Sequence, residues 1–114
     1  MAKDNLILEK TFDFALKVIS LYKHLVSEKE YVLSKQILRS GTSVGANVEE
    51  AVGGHSKKDF IAKMVIAYKE ARETRYWLRL LERSQIVKYD YKVYLDEIQG
   101  IINILTAIIK SSRE

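Results

Sequence analysis

Five basic side chains in one segment of the chain are the strongest candidates for a chemical role. They are Lys69, Arg72, Arg75, Arg79 and Arg83. On a helix that turns 100° per residue, all five fall within an arc of roughly 120°. Cations that share one face are typical of surfaces that bind the phosphates of nucleic acid. The spacing therefore predicts a phosphate-binding face, and these five residues are called the basic stripe below.

A second candidate for anion binding is the segment G-G-H-S-K-K, residues 53–58. It brings the backbone N–H groups of a helix start next to Lys57 and Lys58, which is an arrangement that favours anions. An ordinary helix–helix turn is the simpler interpretation of the same residues. Lys57 and Lys58 are nevertheless kept as candidate nucleic-acid-binding residues.

The polar residues outside these two segments do not form a catalytic pattern. The carboxylate and amide candidates are Asn47, Glu49, Glu50, Glu70 and Glu73. Glutamates on a helix flank are normally solvated or paired with arginine, and acid–base chemistry would need them in a shared cleft. His24 has Glu28 four residues later, but a zinc site needs several convergent ligands and no other is implied, and the chain has no cysteine. We therefore expect no enzyme activity, no catalytic residue, no metal and no cofactor.

The glycine-rich segment G-T-S-V-G-A-N, residues 41–47, resembles a phosphate-binding loop only superficially. Such a loop needs four residues between its glycines and a lysine after the second one. Here three residues separate Gly41 from Gly45, and no lysine follows. Because glycines four apart lie on one helix face, we expect them to let a neighbouring helix approach closely instead.

The elements that must position these residues are helices. The chain has no proline and only five glycines, so little interrupts its apolar periodicity. Polar or glycine-containing turns are expected near residues 27–31, 53–54 and 84–88. They divide residues 1–114, taken as one domain, into four helices, the last from about Asp90 to Ser111. We predict an all-α, antiparallel up-down-up-down four-helix bundle.

The third helix carries the clearest core seam. Its members are Phe60, Met64, Ala67, Ala71, Thr74, Leu78 and Leu81. They are spaced alternately four and three residues apart, as in the packed face of a bundle helix. The basic stripe lies beside this seam, and Glu70 and Glu73 lie on the opposite flank. Ser56, followed by Asp59, is expected to cap the start of this helix.

The first and fourth helices have more apolar surface than one bundle core requires. The first helix carries the row Leu8, Phe12, Ala15, Ile19, Tyr22 and Val26, and a second row of Phe14, Val18, Leu21 and Leu25. The fourth helix carries the row Leu95, Ile98, Ile102, Leu105 and Ile109, and a second row of Tyr94, Ile101 and Ile108. Close packing at Gly100 is also expected there.

This excess of apolar surface predicts contacts between copies of the chain. The candidate interface residues are Trp77, Tyr94, Ile101 and Ile108. Trp77 lies off the core seam, so it is either an interface anchor or packed at the rim of the monomer core. We expect a homo-oligomer.

Composition and charge indicate the cellular compartment and the class of partner that we expect. The net charge is +4 and the isoelectric point about 9.2, a mild bias towards polyanions. No apolar run is long enough to cross a membrane, and the N-terminus lacks the pattern of a secretory signal. A cytoplasmic protein without membrane contact is expected.

Three segments of the chain resemble a known family. They are Q-I-L-R-S-G-T-S-V-G-A-N-V-E-E-A (residues 36–51), S-K-K-D-F (56–60) and K-E-A-R-E-T-R-Y-W-L (69–78). They are similar to the bacterial four-helix bundle proteins called 23S rRNA intervening-sequence proteins, and the similarity spans about residues 8–110. The name refers to genes that lie within insertions of large-subunit rRNA genes. The accessory variability proteins of diversity-generating retroelements resemble the same family.

The resemblance implies an assembled four-helix bundle, with a pentameric barrel as the expected form. It also implies work with RNA or DNA beside a nucleic-acid-processing protein, and it carries over no catalytic residue. Gly45 stands where many relatives have proline, and E-E-A-V-G-G departs from the usual A-E-G, so the turn after the second helix can differ.

The sequence is compatible with two functions from different classes. The first is a non-catalytic homo-oligomeric scaffold that binds structured RNA through the basic stripe. The second is a protein-interaction adaptor without nucleic-acid binding. In the adaptor, the arginines pair with Glu49, Glu50, Glu70 or Glu73 across helices or subunits. The partners of the arginine side chains distinguish the two.

Overall fold

Four helices joined by short connections make up the fold. The computed structural model describes the backbone of residues 2–114 and the side chains of residues 6–114. Helix α1 spans Ala2–Ser27, α2 Leu33–Val52, α3 Lys57–Ser84 and α4 Lys92–Arg113. The predicted all-α class and the four helices are confirmed. The last helix begins two residues later than expected, because the side chain of Asp90 accepts a hydrogen bond from the N–H of Lys92 at 3.0 Å.

Contacts between the helices run in opposite chain directions, which gives the antiparallel order. Ser40 on α2 accepts a hydrogen bond from Thr74 on α3, and ten residues later Glu50 pairs with Lys63. The helices contact each other as the ring α1–α2–α3–α4–α1, and the molecule measures 44 × 19 × 19 Å. A four-helix bundle has this arrangement.

The second helix runs without interruption through its glycine-rich segment. The hydroxyls of Thr42 and Ser43 donate to carbonyls four residues earlier, both at 2.7 Å, and so are satisfied within the helix. A Cβ added at Gly41 would lie 2.8 Å from a methyl carbon of Val18, and one added at Gly45 would lie 3.3 Å from the carbonyl oxygen of Thr11. The close approach of α1 to these two glycines is confirmed.

The first helix completely buries the second of its two apolar rows. Phe14, Val18, Leu21 and Leu25 are completely buried, together with Ile7 and Thr11. The other row is only half-buried, and two of its members are exposed, Phe12 by 60% and Ile19 by 38%. Both rows are apolar, and the contacts of α1 with Gly41 and Gly45 select the row that enters the core.

The fourth helix buries both of its apolar rows within the monomer. Ile101 is 2% and Ile108 4% exposed, so the prediction that this row lies outside the core is wrong. The two rows together span an arc that two neighbouring helices, α1 and α3, cover. The prediction of close packing at Gly100 is also wrong. Apart from its own helix turn, no atom of a described residue lies within 4 Å of the position that a Cβ would take there.

Candidate nucleic-acid interface

Helix α3 presents the basic stripe at the surface because the apolar seam beside the stripe is fixed in the core. The Ser56 hydroxyl accepts a hydrogen bond from the N–H of Asp59 at 3.1 Å, which confirms the predicted cap. The predicted seam is confirmed by its completely buried members, which are Met64, Ala67, Ala71, Thr74, Leu78 and Leu81. Phe60 is partly buried at the start of the same face. With this face inwards, the stripe is directed to the surface.

The structure places the basic stripe along the outer side of α3. Lys69, Arg72, Arg79 and Arg83 are exposed, and Arg75 is half-buried. From Lys69 to Arg83 the row covers about 21 Å of helix axis, at 1.5 Å per residue. Among the residues whose side chains are described, no carboxylate lies within salt-bridge distance of any of the five. The stripe is therefore a row of cations without a carboxylate partner in the described part of the chain.

The glutamates on the other flank of α3 have their own partner. Arg39 of α2 forms salt bridges with Glu70, at 3.3 Å, and with Glu73. Glu73 also accepts a hydrogen bond from the indole N–H of Trp77 at 3.0 Å. The acidic flank therefore connects α3 to α2, and among the described side chains it forms no ion pair with the basic stripe.

The remaining polar candidates do not converge on a shared cleft. Glu50 pairs with Lys63 at 2.9 Å, and the side chain of Asn47 donates to the backbone of Ser43. Glu49 is exposed. Within residues 6–114, no group of three or more histidine, aspartate or glutamate side chains is placed to hold a metal ion.

The turn between α2 and α3 offers fewer free N–H groups than its sequence suggests. The N–H groups of Gly53 and Gly54 donate to Glu49 and Ala51, both at 3.1 Å, and so complete the end of α2. Lys57 and Lys58 are exposed at the first turn of α3. Glu50, Asp59 and Lys63 line the adjacent surface depression, where the two carboxylates offset the charge of the lysine. Of these groups, the two lysine side chains are what the turn adds to the basic surface.

The candidate interface residues lie mostly inside the monomer. Ile101 and Ile108 are buried, while Trp77 and Tyr94 are partly buried against the core. The Trp77 ring packs edge-on against Tyr76, with centroids 5.3 Å apart. Burial raises the pKa of Tyr94, as does its neighbour Tyr89. All four residues therefore contribute to packing within one chain.

The end of the bundle that holds His24 is an aromatic cluster. The His24 ring stacks on Tyr89, with centroids 4.0 Å apart, and Tyr89 meets Tyr91 edge-on. The hydroxyl of Tyr91 donates to the carbonyl of Val87 at 2.8 Å, and burial raises the Tyr91 pKa to about 12. A phenol that holds its proton so firmly is a poor acid or base at neutral pH.

Sequence reasoning missed two cations next to the basic stripe. Lys110 and Arg113, in the last turn of α4, line a groove between α3 and α4 together with Lys69. Tyr68 lines the same groove, and its hydroxyl accepts a hydrogen bond from Arg72 at 3.0 Å. The basic residues at the end of α4 were visible in the sequence. Their position beside Lys69 depends on how α4 is placed against α3.

Comparison with known proteins gives the chain its relatives. The model of the family described as 23S rRNA-intervening sequence protein matches residues 3–107. A similar crystal structure is that of a protein of unknown function from the S23 ribosomal protein family of Bacteroides thetaiotaomicron VPI-5482. Its TM-score is 0.90 and its sequence identity 49%, over 95% of this chain and 98% of that one. Comparison with curated proteins found no match.

The comparisons and the helices agree on the fold. The matched residues 3–107 include α1, α2 and α3 almost completely and most of α4. In the described part of the chain, no helix is long and apolar enough to span a membrane.

Proposed function

We propose that this chain, which belongs to the 23S rRNA-intervening sequence protein family, is a non-catalytic scaffold that binds structured RNA through the basic stripe. The observation that carries the proposal is the absence of carboxylate partners for the stripe among the described side chains. We place this binding in the cytoplasm.

The physical basis is the release of counterions from the phosphate backbone. Each phosphate that a lysine or arginine neutralises releases condensed cations, so binding weakens as salt rises. The stripe extends over about 21 Å of one helix, which suffices for several successive phosphates. The net charge of +4 adds long-range attraction without selecting a sequence.

The test is a titration of an RNA hairpin by fluorescence anisotropy at several salt concentrations. The variant Arg79→Gln/Arg83→Gln removes two stripe charges, and Lys35→Gln removes one exposed charge on α2 as a control. We expect the double variant to bind more weakly and to lower the slope of log K against log salt by about 2, or about 1 per lost contact. Lys35→Gln should weaken RNA binding only as much as the loss of one positive charge that contacts no phosphate. Binding of the unaltered chain that ignores salt contradicts the proposal.

Self-association is the second part of the proposal. Phe12, Leu16 and Ile19 are 60%, 53% and 38% exposed on the outer side of α1. Soluble monomers avoid contiguous apolar patches of this kind, and a repeated contact between copies would bury the row. A ring of five copies would also repeat the basic stripe five times and multiply its phosphate contacts.

The adaptor without nucleic-acid binding is the competing function. It is favoured by the same exposed row on α1, which a different protein could cover. The adaptor hypothesis expected stripe arginines to pair with Glu70 or Glu73. Arg39 pairs with both carboxylates instead, so this part of the hypothesis gains no support. If the folded protein does not bind RNA even at low salt, the adaptor is the better explanation.

A further inference from the structure

The groove between α3 and α4 combines an apolar floor with a cationic rim. Val65 and Tyr68 are partly buried along its floor, and Ile109 is 9% exposed there. Lys110 is exposed at its rim, where Lys69 and Arg113 also lie. The cavity volume is about 460 Å³, within the range of small-ligand sites. Among the described side chains, no carboxylate lines the groove, so its charge favours an anion.

Tyr68 is held in place within this groove by a neighbouring cation. Arg72 donates to the Tyr68 hydroxyl at 3.0 Å, and its guanidinium carbon lies 5.7 Å from the ring centroid. The ring therefore has an anchored edge beside the apolar floor. Nucleobases stack on aromatic side chains and on guanidinium planes, and they do so largely independently of base identity.

We propose that the groove receives one unpaired nucleotide of the bound RNA, with its base against Tyr68. Its flanking phosphates then lie beside Lys69, Lys110 and Arg113. This inference rests on the proposed function and narrows it, because it names unpaired loop or single-stranded nucleotides as the recognised part. Bases in RNA loops are unstacked and accessible, whereas those of a duplex are not.

Two other occupants explain the groove less well. A duplex would present phosphates to the rim and leave Val65 and Ile109 in contact with water. An acidic amphipathic helix would need apolar anchors at successive helical turns. The floor offers only one short cluster, centred on Tyr68, and its size suits a single base.

The experiment compares a short single-stranded oligoadenylate with an abasic oligomer of the same length, both by fluorescence anisotropy. The abasic oligomer keeps the phosphates and lacks the bases, so the unaltered chain should bind it about tenfold more weakly, a typical loss for one stacked base. Tyr68→Leu should lose most of that tenfold difference, and Tyr68→Phe should retain it. Tyr76→Leu is the matched control, because Tyr76 is a 53% exposed tyrosine on the same helix outside the groove.

Each outcome separates this inference from the proposed function. Equal binding of the two oligomers, with weaker binding by Arg79→Gln/Arg83→Gln, overturns the base site and leaves RNA binding in place. Failure of every RNA to bind overturns both. If Tyr68→Leu weakens an acidic helical peptide and not RNA, the groove is a peptide site and the inference is wrong. The oligomer comparison uses the unaltered chain and decides even if Tyr68→Leu does not fold.

Discussion

Gly41 is a residue whose missing side chain determines how closely two helices pack. A Cβ at this position would lie 2.8 and 2.9 Å from the two methyl carbons of Val18, which is completely buried and cannot move aside freely. We expect Gly41→Ala to lower the free energy of unfolding by about 1–3 kcal/mol, the usual cost of overpacking a core. Urea denaturation measures the change.

Gly100 provides the matched control for this prediction. It lies within α4, and among the described residues no neighbouring atom lies within 4 Å of the position that an alanine Cβ would take. Gly100→Ala should raise the free energy of unfolding by about 0.5–1 kcal/mol, because alanine is the better helix former. Equal effects of the two substitutions would contradict the packing at Gly41.

These glycines also show what sequence could tell about single residues. The spacing of Gly41 and Gly45 predicted a close approach correctly, because two glycines four apart mark one face. Gly100 stands alone, and a lone glycine does not reveal whether another helix lies opposite. The contact depends on the relative rotation of α4, which local sequence does not determine.

At the scale of elements, α2 depends on a cap that its own sequence pattern does not reveal. The carboxylate of Glu30 accepts hydrogen bonds from the N–H groups of Val32 at 3.1 Å, Leu33 at 3.0 Å and Ser34 at 2.6 Å. These are donors that the start of a helix leaves unsatisfied. The sequence pattern predicts only a polar turn around residue 30.

We expect Glu30→Ala to lower the free energy of unfolding by about 1–2 kcal/mol, the usual cost of losing a helix cap. Thermal unfolding followed by circular dichroism measures the effect. Glu28→Ala is the control, since Glu28 is exposed in the same connection and its carboxylate makes no hydrogen bond to a described residue. An unchanged midpoint of thermal unfolding for Glu30→Ala would contradict the prediction, because it would show that water replaces the carboxylate without loss of stability.

The helices differ in how well their faces could be predicted. On α3 a single apolar seam stands beside charged flanks, so periodicity identified both the core and the basic stripe. On α1 the two rows Phe12–Ile19 and Phe14–Leu21 are equally apolar, and periodicity cannot rank them. The choice is made by the partner helix, whose glycines admit Val18 and Thr11.

At the scale of the whole molecule, the groove between α3 and α4 depends on the placement of distant segments. Lys69 and Lys110 are 41 positions apart in the sequence and line one groove because the two helices are antiparallel. The bundle topology was predictable from four helices with short connections. The register that brings the last turn of α4 to the middle of α3 was not.

The assembly of the molecule gives the last prediction. Among the described side chains of α1, Phe12 and Leu16 are the two most exposed large apolar residues, and neither is needed in the monomer core. We expect the unaltered chain to scatter light as an oligomer, with five times the 13.2 kDa of one chain as the proposed mass. Phe12→Glu/Leu16→Glu should give a folded monomer, because a charge on each copy would have to be buried at the contact.

Val93→Glu is the control for this pair, since Val93 is 55% exposed on a different helix, near the start of α4. It should keep the mass of the unaltered chain. A monomeric mass for the unaltered chain at micromolar concentration contradicts self-association, and a dimer or tetramer rejects only the ring of five. An oligomer that survives Phe12→Glu/Leu16→Glu would place the contact on another face. The position of the basic stripe on the surface of the oligomer would then have to be determined again. Its repetition around a ring depends on which face of α1 is covered.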